Sequence, residues 1–280
     1  MRRLDREVMN KYTNQDILQI AMKQSALDIN CDPADFLKSE NVVVRSGVGP
    51  LARKYYKEPI ACNLVSYGNN LVASVRDEYK ELVEEYIGKF EFYHCFETPN
   101  MHWLDSRMSE AGQKICFMAE YFLPDMKRLE RLSCGYEMKI LGHKDFTDLY
   151  LPEWSNALCE DRKESDVLGM GAYDGDKLIG LAGCSADCDI MWQIGVDVLP
   201  EYRRQGIASA LTSNLAAEIL ERERIPFYCC AWSNIRSAKN AVKSGFVPAW
   251  VEMSVKPGEL VEKMNQSVRA LPEYERRGTS

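Results

Sequence analysis

A junction near residue 200 constrains this chain more than any other feature. An apolar strand ending Val196-Asp197-Val198-Leu199 passes through Pro200-Glu201-Tyr202 into Arg203-Arg204-Gln205-Gly206-Ile207-Ala208 and then into a long helical stretch. There Ile207, Leu211, Leu215 and Ile219 recur on one face, which predicts an amphipathic helix over 206–222. The first turn of such a helix presents unpaired backbone N–H groups at the positive end of the helix dipole, and Arg203 and Arg204 add charge beside them. A phosphate or pyrophosphate fits that description. Two readings of the small residues stand side by side: Gly206 and Ala208 either leave room for a ligand or let the helix pack closely on its sheet with the arginines solvated.

Other nucleotide sites are excluded by pattern. G-x-G-x-x-G and G-x-x-x-x-G-K-[ST] are both absent, which disfavours a dinucleotide-binding dehydrogenase and a P-loop NTPase. With 42 acidic against 35 basic residues, a net charge of -7 argues against a nucleic-acid partner. No apolar run approaches the roughly 20 residues of a membrane helix. The opening Met1-Arg2-Arg3-Leu4-Asp5-Arg6-Glu7 lacks the apolar core of a secretory signal, so the expected location is cytoplasmic. In that compartment the ten cysteines read as reduced and mostly buried thiols. Cys184 with Cys188, and Cys229 with Cys230, lack a second close pair, and His94, His102 and His143 are the only histidines; no metal is expected.

Along the chain, a helix is predicted from Thr13 or Asn14 to near Asn30, and a hairpin around Tyr67-Gly68-Asn69-Asn70. An amphipathic helix follows, with Val75, Tyr79, Leu82, Val83 and Tyr86 on one face and Gly88 as its stop. Residues 90–96 read as an aromatic strand, Thr98-Pro99-Asn100 as a loop and 114–123 as a strand. The charged stretch after Pro124 places a domain boundary near residue 133. Beyond it the expected order is strand 136–141, helical segment 144–159, hairpin 167–186, strand 190–199, helix 206–222, strand 226–231, helix 234–244 and strand 246–255. The hairpin turn Asp174-Gly175-Asp176 reads as type I′. The expected domains are therefore 1–133, a smaller α+β domain, 134–256, an α+β domain with a mixed, mostly antiparallel sheet flanked by helices, and a tail over 257–280.

In the second half the chain resembles the Gcn5-related N-acetyltransferase (GNAT) superfamily. The residues that carry the resemblance are Val198 through Ala208 (its motif A), Trp232-Ser233-Asn234 through Lys243-Ser244-Gly245-Phe246 (its motif B) and the hairpin Asp174-Gly175-Asp176-Lys177-Leu178-Ile179-Gly180. It covers about 135–256. The resemblance implies acetyl-CoA or another acyl-CoA as donor, held in a split between the strands at 190–199 and 226–231. It implies pyrophosphate binding by the backbone at Arg204, Gln205, Gly206, Ile207, Ala208 and Ser209, with Arg203 adjoining. Val196 and Val198 would pair with the pantetheine arm, and the Val198 N–H would face the thioester oxygen. Asn234 either contacts the CoA arm or caps its helix, and the two are compatible.

Transfer to an amine needs a neutral nucleophile, and freeing an amine of pKa ~10.4 at pH 7 costs about 4–5 kcal/mol. Asp197, Asp187, Asp189 and Glu153 are the acidic candidates, although each reads more readily as a solvated or hydrogen-bonded structural carboxylate. The resemblance implies a tyrosine four residues before the Gly-Phe of motif B, but this chain has Ala241 there; Ser237, one turn earlier, is the substitute candidate or a small packing residue. The aromatic cluster Phe90, Phe92, Tyr93, Phe96 and Trp103, with His94 and His102, is either core or a wall of the acceptor pocket, to which Trp154, Trp192 and Trp232 could add. The sequence thus predicts an acyl-CoA-dependent N-acyltransferase acting by direct attack in a ternary complex. The alternative is a non-catalytic acyl-CoA-binding regulatory module. Expected partners are acyl-CoA and a small or peptide amine, not nucleic acid or membrane, with a homodimer as one open assembly state.

Overall fold

The computed structural model describes residues 11–58 and 60–268, so expectations about the first ten residues and about Arg276-Arg277-Gly278-Thr279-Ser280 lie outside it. In chain order the helices are α1 (Asn14–Ile29), α2 (Lys80–Lys89), α3 (Thr98–Glu110), α4 (Ile207–Glu221), α5 (Ile235–Lys243) and α6 (Gly258–Val268). The strands are β1 (Val42–Arg45), β2 (Cys62–Ser66), β3 (Val72–Val75), β4 (Gln113–Pro124), β5 (Glu137–Gly142), β6 (Asp166–Asp174), β7 (Lys177–Ser185), β8 (Met191–Val198), β9 (Ile225–Ala231) and β10 (Phe246–Pro257). Two compact units share them. One comprises the chain up to Gln24, Arg53–Tyr55 and Glu120–Ala249; the other comprises Ser25–Ala52, Tyr56–Ala119 and the chain from Trp250. The units interleave, whereas the boundary expected near residue 133 is a single cut that falls inside the first of them.

In the first unit the strand order is β10-β4-β9-β8-β7-β6-β5. Strands β5 to β8 are successively antiparallel, and β8 to β9 is parallel. This is the mixed, mostly antiparallel sheet with flanking helices that the alternation of elements predicts. Between β6 and β7 the turn has positive φ at Gly175 alone (φ +59), the φ pattern of a type II′ turn, and not at both positions as type I′ requires. Helix α4 is the core of this unit: Ile207 and every residue from Ser209 to Leu220 are buried. Its apolar face meets the sheet where Gly180 has no side chain; a Cβ there would lie 3.0 Å from both Ile207 and Leu211. Its other face is buried by polar means. Asn214 donates to the Leu132 carbonyl at 2.7 Å, and Glu218 pairs with Arg131 and Arg222, each at 2.7 Å.

The second unit orders its strands β1-β3-β2-β10-β4, with α2 and α3 supplying Val83, Tyr86, Ile87, Leu104 and Met108 to its core. Here the sequence reading needs two corrections. Residues 90–96 are not a strand: Phe92–Phe96 form a 3-10 turn whose Cys95 and Phe96 are buried, with Tyr86 donating to the Cys95 carbonyl at 2.6 Å. Thr98-Pro99-Asn100 is not a loop but the first turn of α3, with Pro99 at a position where its missing N–H costs nothing. Met101, Leu104 and Met108 then recur at helical spacing. Phe90, Phe92 and Trp103 pack against this core, whereas Tyr93 is exposed and His94 pairs with Glu97 at 2.8 Å.

A third correction concerns 144–159, expected to be helical. It forms separate 3-10 turns, His143–Phe146 and Pro152–Trp154, followed by Glu160–Ser165. Phe146, Leu149, Trp154 and Leu158 do recur at helical spacing, but Pro152 interrupts the helical hydrogen-bond ladder, and from separate turns they serve a local core with Leu141 and Leu181.

Candidate functional site

The split expected between two strands is visible in their register. β8 and β9 pair only from Met191↔Ile225 to Ile194↔Tyr228. Both strands run on, β8 to Val198 and β9 to Ala231, no longer paired with each other, while β8 keeps its partners on β7 up to Gly180↔Val198. One edge of residues 195–198 is thus left with backbone groups that need another partner. Val196 and Val198 lie on that stretch.

At its end, the turn into α4 takes a conformation that sequence alone does not reveal. Arg204 (φ +65) and Gly206 (φ +83) are both left-handed, and Gly206 is the N-cap, with no side chain closing the helix. The N–H groups of Ile207, Ala208 and Ser209 therefore head a concave run of backbone donors. Surrounding side chains hold the turn in place. Tyr136 donates to Gln205 at 2.9 Å, Tyr202 to Asp174 at 2.9 Å, and Lys177 pairs with Glu201 at 3.0 Å. The two arginines differ. Arg203 is a strut, its Nε donating to the Val198 carbonyl at 3.0 Å, whereas Arg204 is exposed on the left-handed residue itself. Ser209 is buried, and its hydroxyl donates back to the Gly206 carbonyl at 3.0 Å. A cation the sequence reading missed joins them: the Lys243 ammonium lies 3.8 Å from where a Cβ on Gly206 would stand.

On the opposite face of β8, Asp197 and Gly195 hold one segment. A Cβ on Gly195 would lie 1.8 Å from the Asn156 carbonyl oxygen, and one on Gly183 would lie 2.2 Å from that of Ala157, so two glycines admit this backbone against the sheet. Asp197 accepts from the Asn156 N–H at 2.8 Å, the Asn156 side-chain amide at 2.7 Å and the Ala157 N–H at 2.9 Å. Burial pushes its carboxyl above the usual range, against the pull of those donors and of Arg203. With both oxygens engaged, Asp197 is a clamp for the segment. Glu153, in the turn just before it, is exposed. Of the other acidic candidates, Asp187 is buried and ion-paired with Arg162.

Helix α5 closes the other side. Asn234 caps it, accepting from the Ser237 N–H at 3.1 Å. The Ser237 hydroxyl is 2.8 Å from that of Tyr228, the last β9 residue paired with β8, whose phenol burial pushes up while Ser237 and Asn240 oppose the shift. Ala241 is fully buried. Tyr228 carried no sequence signal and Lys243 only its place in motif B, since their contacts depend on the register of β9 and on α5 lying beside α4. Among the described residues no group of three or more His, Cys, Asp or Glu is arranged to hold a metal, and no helix is long and apolar enough to cross a membrane. All ten cysteines are free thiols.

Comparison with known proteins adds the following. A family model described as GNAT acetyltransferase matches residues 76–249, more than half of the chain. No curated protein matches. Similar solved structures include a GNAT-family protein from Novosphingobium aromaticivorans (16% identity, 51% of this chain and 66% of that one, TM-score 0.42). A second is an acetyltransferase of that family from Colwellia psychrerythraea (16% identity, 51% and 57%, TM-score 0.38), and a third is a Drosophila protein (14% identity, 92% and 98%, TM-score 0.42). This chain spans less than two thirds of the first two proteins' own lengths. All three likenesses are too remote to carry an argument.

Proposed function

The chain belongs to the GNAT acetyltransferase family, and from that membership we propose that it moves an acetyl or other acyl group from acyl-CoA to a primary amine by direct attack in a ternary complex. The observation that carries this reading is the combination of an unpaired β8 edge with a donor-lined turn at the head of α4. The edge at 195–198 is suited to the amide-bearing pantetheine arm, and the N–H groups around Arg204 to Ser209, with Arg204 and Lys243, to the pyrophosphate. Here Arg203 supports the turn through Val198. The Val198 N–H would polarise the thioester oxygen and stabilise the negative charge that develops on it.

The donor supplies an activated acyl group; the chain's residues orient it and manage one proton. Loss of that proton from the attacking ammonium falls to a carboxylate or to water, and Asp197 is badly placed for it because its oxygens already accept three hydrogen bonds. Exposed Glu153 remains the proton acceptor. A CoA thiol near pKa ~8.5 leaves as thiolate at a cost of about 2 kcal/mol at pH 7, so hydrogen bonding from Ser237, held by Tyr228, is sufficient assistance without a dedicated acid.

Two observations favour a second reading, a non-catalytic acyl-CoA-binding module: Ala241 stands where the resemblance implies an acid, and Asp197 is engaged. Turnover separates the two. Release of CoA thiol from acetyl-CoA, measured against enzyme-only blanks that account for the ten cysteines, is expected to depend on an amine from a panel of polyamines, amino acids, aminoglycosides and lysine peptides. Binding of acetyl-CoA with no amine-dependent release would favour the binding module.

A further inference from the structure

In the second unit, one face of the sheet carries a polar row although it is buried. On β2, Asn63 stands in register with Ser74 of β3 and Ser254 of β10, and the three are 0%, 1% and 7% exposed. Cys62 and Leu64, the neighbours of Asn63 on β2, belong to the apolar core on the opposite face. Two residues before Ser254, Glu252 shares the polar face and is 7% exposed. Its carboxylate accepts from the Tyr56 hydroxyl and from the Asn63 amide nitrogen, the latter at 2.7 Å. Both partners are neutral, and a buried carboxylate without a counter-charge is costly. The same bonds fix the Asn63 amide. Its nitrogen also lies 3.3 Å from the Tyr56 hydroxyl, which leaves Oδ1 turned away from the carboxylate, buried and with no hydrogen-bond partner.

Two acceptors thus stand close together with nothing to donate to them. One C–O and one C–N bond, about 1.2 and 1.3 Å, separate Oδ1 from Nδ2 of Asn63, so Oδ1 lies within about 5 Å of Glu252 Oε1. A single nitrogen making two hydrogen bonds of about 2.8 Å bridges that span. A charged carboxylate and a neutral carbonyl, with two serines on the same face, call for a cation that carries several N–H donors. A metal is the poorer match, because the face offers one carboxylate and, among the described residues, no group of three or more His, Cys, Asp or Glu is gathered. We propose that Asn63 and Glu252 bind a primary ammonium of the acceptor. This rests on the N-acyltransfer reading above and deepens it. A carboxylate that keeps an amine protonated works against attack, which needs the neutral form, so the nitrogen held here is not the one acylated. The acceptor then carries at least two amines, one held and one acylated, and belongs to the di- and polyamines. A net charge of -7 suits such a polycation.

The site is tested first without any donor, by calorimetric titration of the full chain with butylammonium, tetramethylammonium and potassium chlorides. Butylammonium should bind roughly tenfold more tightly than the other two, which carry the charge but no N–H, as expected for a charge-assisted hydrogen bond. It should also raise the thermal midpoint, as a ligand of the native state does. Glu252→Gln keeps the size of the side chain and the oxygen that Tyr56 and Asn63 bond, so it should melt near the wild-type midpoint and bind butylammonium about tenfold more weakly. In turnover, that variant should raise KM for spermidine about tenfold with KM for acetyl-CoA unchanged, and the wild type should use spermidine about tenfold more efficiently than butylamine. Equal binding of the three cations by the wild type, or undiminished butylammonium binding in Glu252→Gln, would overturn the site. Butylamine acylated as efficiently as spermidine would overturn the second-ammonium role. Absence of amine-dependent CoA release with every amine would overturn the transfer reading itself, while the donor-free titration still decides the site.

Discussion

At the scale of single residues, glycine and aspartate on β8 do opposite jobs at one contact. Gly195 withholds a side chain so that the Asn156 carbonyl can approach, and Asp197 supplies oxygens that fix the same segment. Gly195→Ala should destabilise the protein by about 3 kcal/mol in chemical denaturation, because the clash is with backbone and no rotamer relieves it. Asp197→Asn should cost about 1 kcal/mol, since its carbonyl oxygen can keep the Asn156 and Ala157 N–H groups, which share one Asp197 oxygen, but its amide nitrogen cannot accept from the Asn156 side-chain amide. A catalytic base at 197 would instead give a fully stable, inactive Asn variant. The two arginines of the turn are likewise separable: Arg204→Glu should weaken acetyl-CoA binding about tenfold without moving the thermal midpoint, as expected of an exposed side chain facing an anion. Arg203→Glu should lower both, since it also removes the strut to Val198.

At the scale of elements, what differs from the sequence reading differs for stated reasons. Phe90 to Phe96 has the aromatic content of a strand, but its buried members are the adjacent Cys95 and Phe96, an arrangement a 3-10 turn can bury on one side and a half-buried strand cannot. The start of α3 was legible in Thr98-Pro99, read as a loop because proline ends helices as readily as it begins them. Helix α4, by contrast, was predicted to within a residue or so. Its remaining surprise is burial all round, which comes from Arg131 and Leu132 covering its polar face. Gly206→Ala should cost about 1 kcal/mol from its positive φ, measurable as a lowered thermal midpoint.

At the scale of the whole molecule, interleaving has a consequence for dissection. A fragment beginning at residue 131 loses Glu120–Pro124, the part of β4 that lies between β9 and β10 in the first unit. Such a fragment should be rapidly digested in limited proteolysis where the full chain resists; a protease-resistant fragment would show that β4 is dispensable. Stability should also depend on pH through Asp166. Its carboxyl is buried, chiefly by desolvation, and raised to about 6, against the pull of Cys159, Tyr150 and Arg162 and with Asp187 adding to the rise. A native pKa above the unfolded one means the native state binds the proton more tightly, so ionised Asp166 destabilises the fold above pH 6 by on the order of 3 kcal/mol. That cost is relieved as pH falls from about 6 towards 4. Asp166→Asn should be more stable than wild type at pH 7.5 and should lose this part of the pH dependence in thermal melts.

The sequence by itself determined the order of strands and helices from residue 166 to 257, the glycine-containing, basic start of α4 and the family resemblance, because periodicity, turn glycines and charge at a helix start are local signals. Only the tertiary structure decided which groups meet. Lys243 comes to Gly206, Tyr228 to Ser237, and Asp197 is claimed by Asn156, through contacts between residues far apart in the chain. The division into units was hidden for the same reason. Strand pairing joins segments without regard to their distance along the chain, and the place where β8 and β9 part is a property of their register, which neither strand's own residues specify.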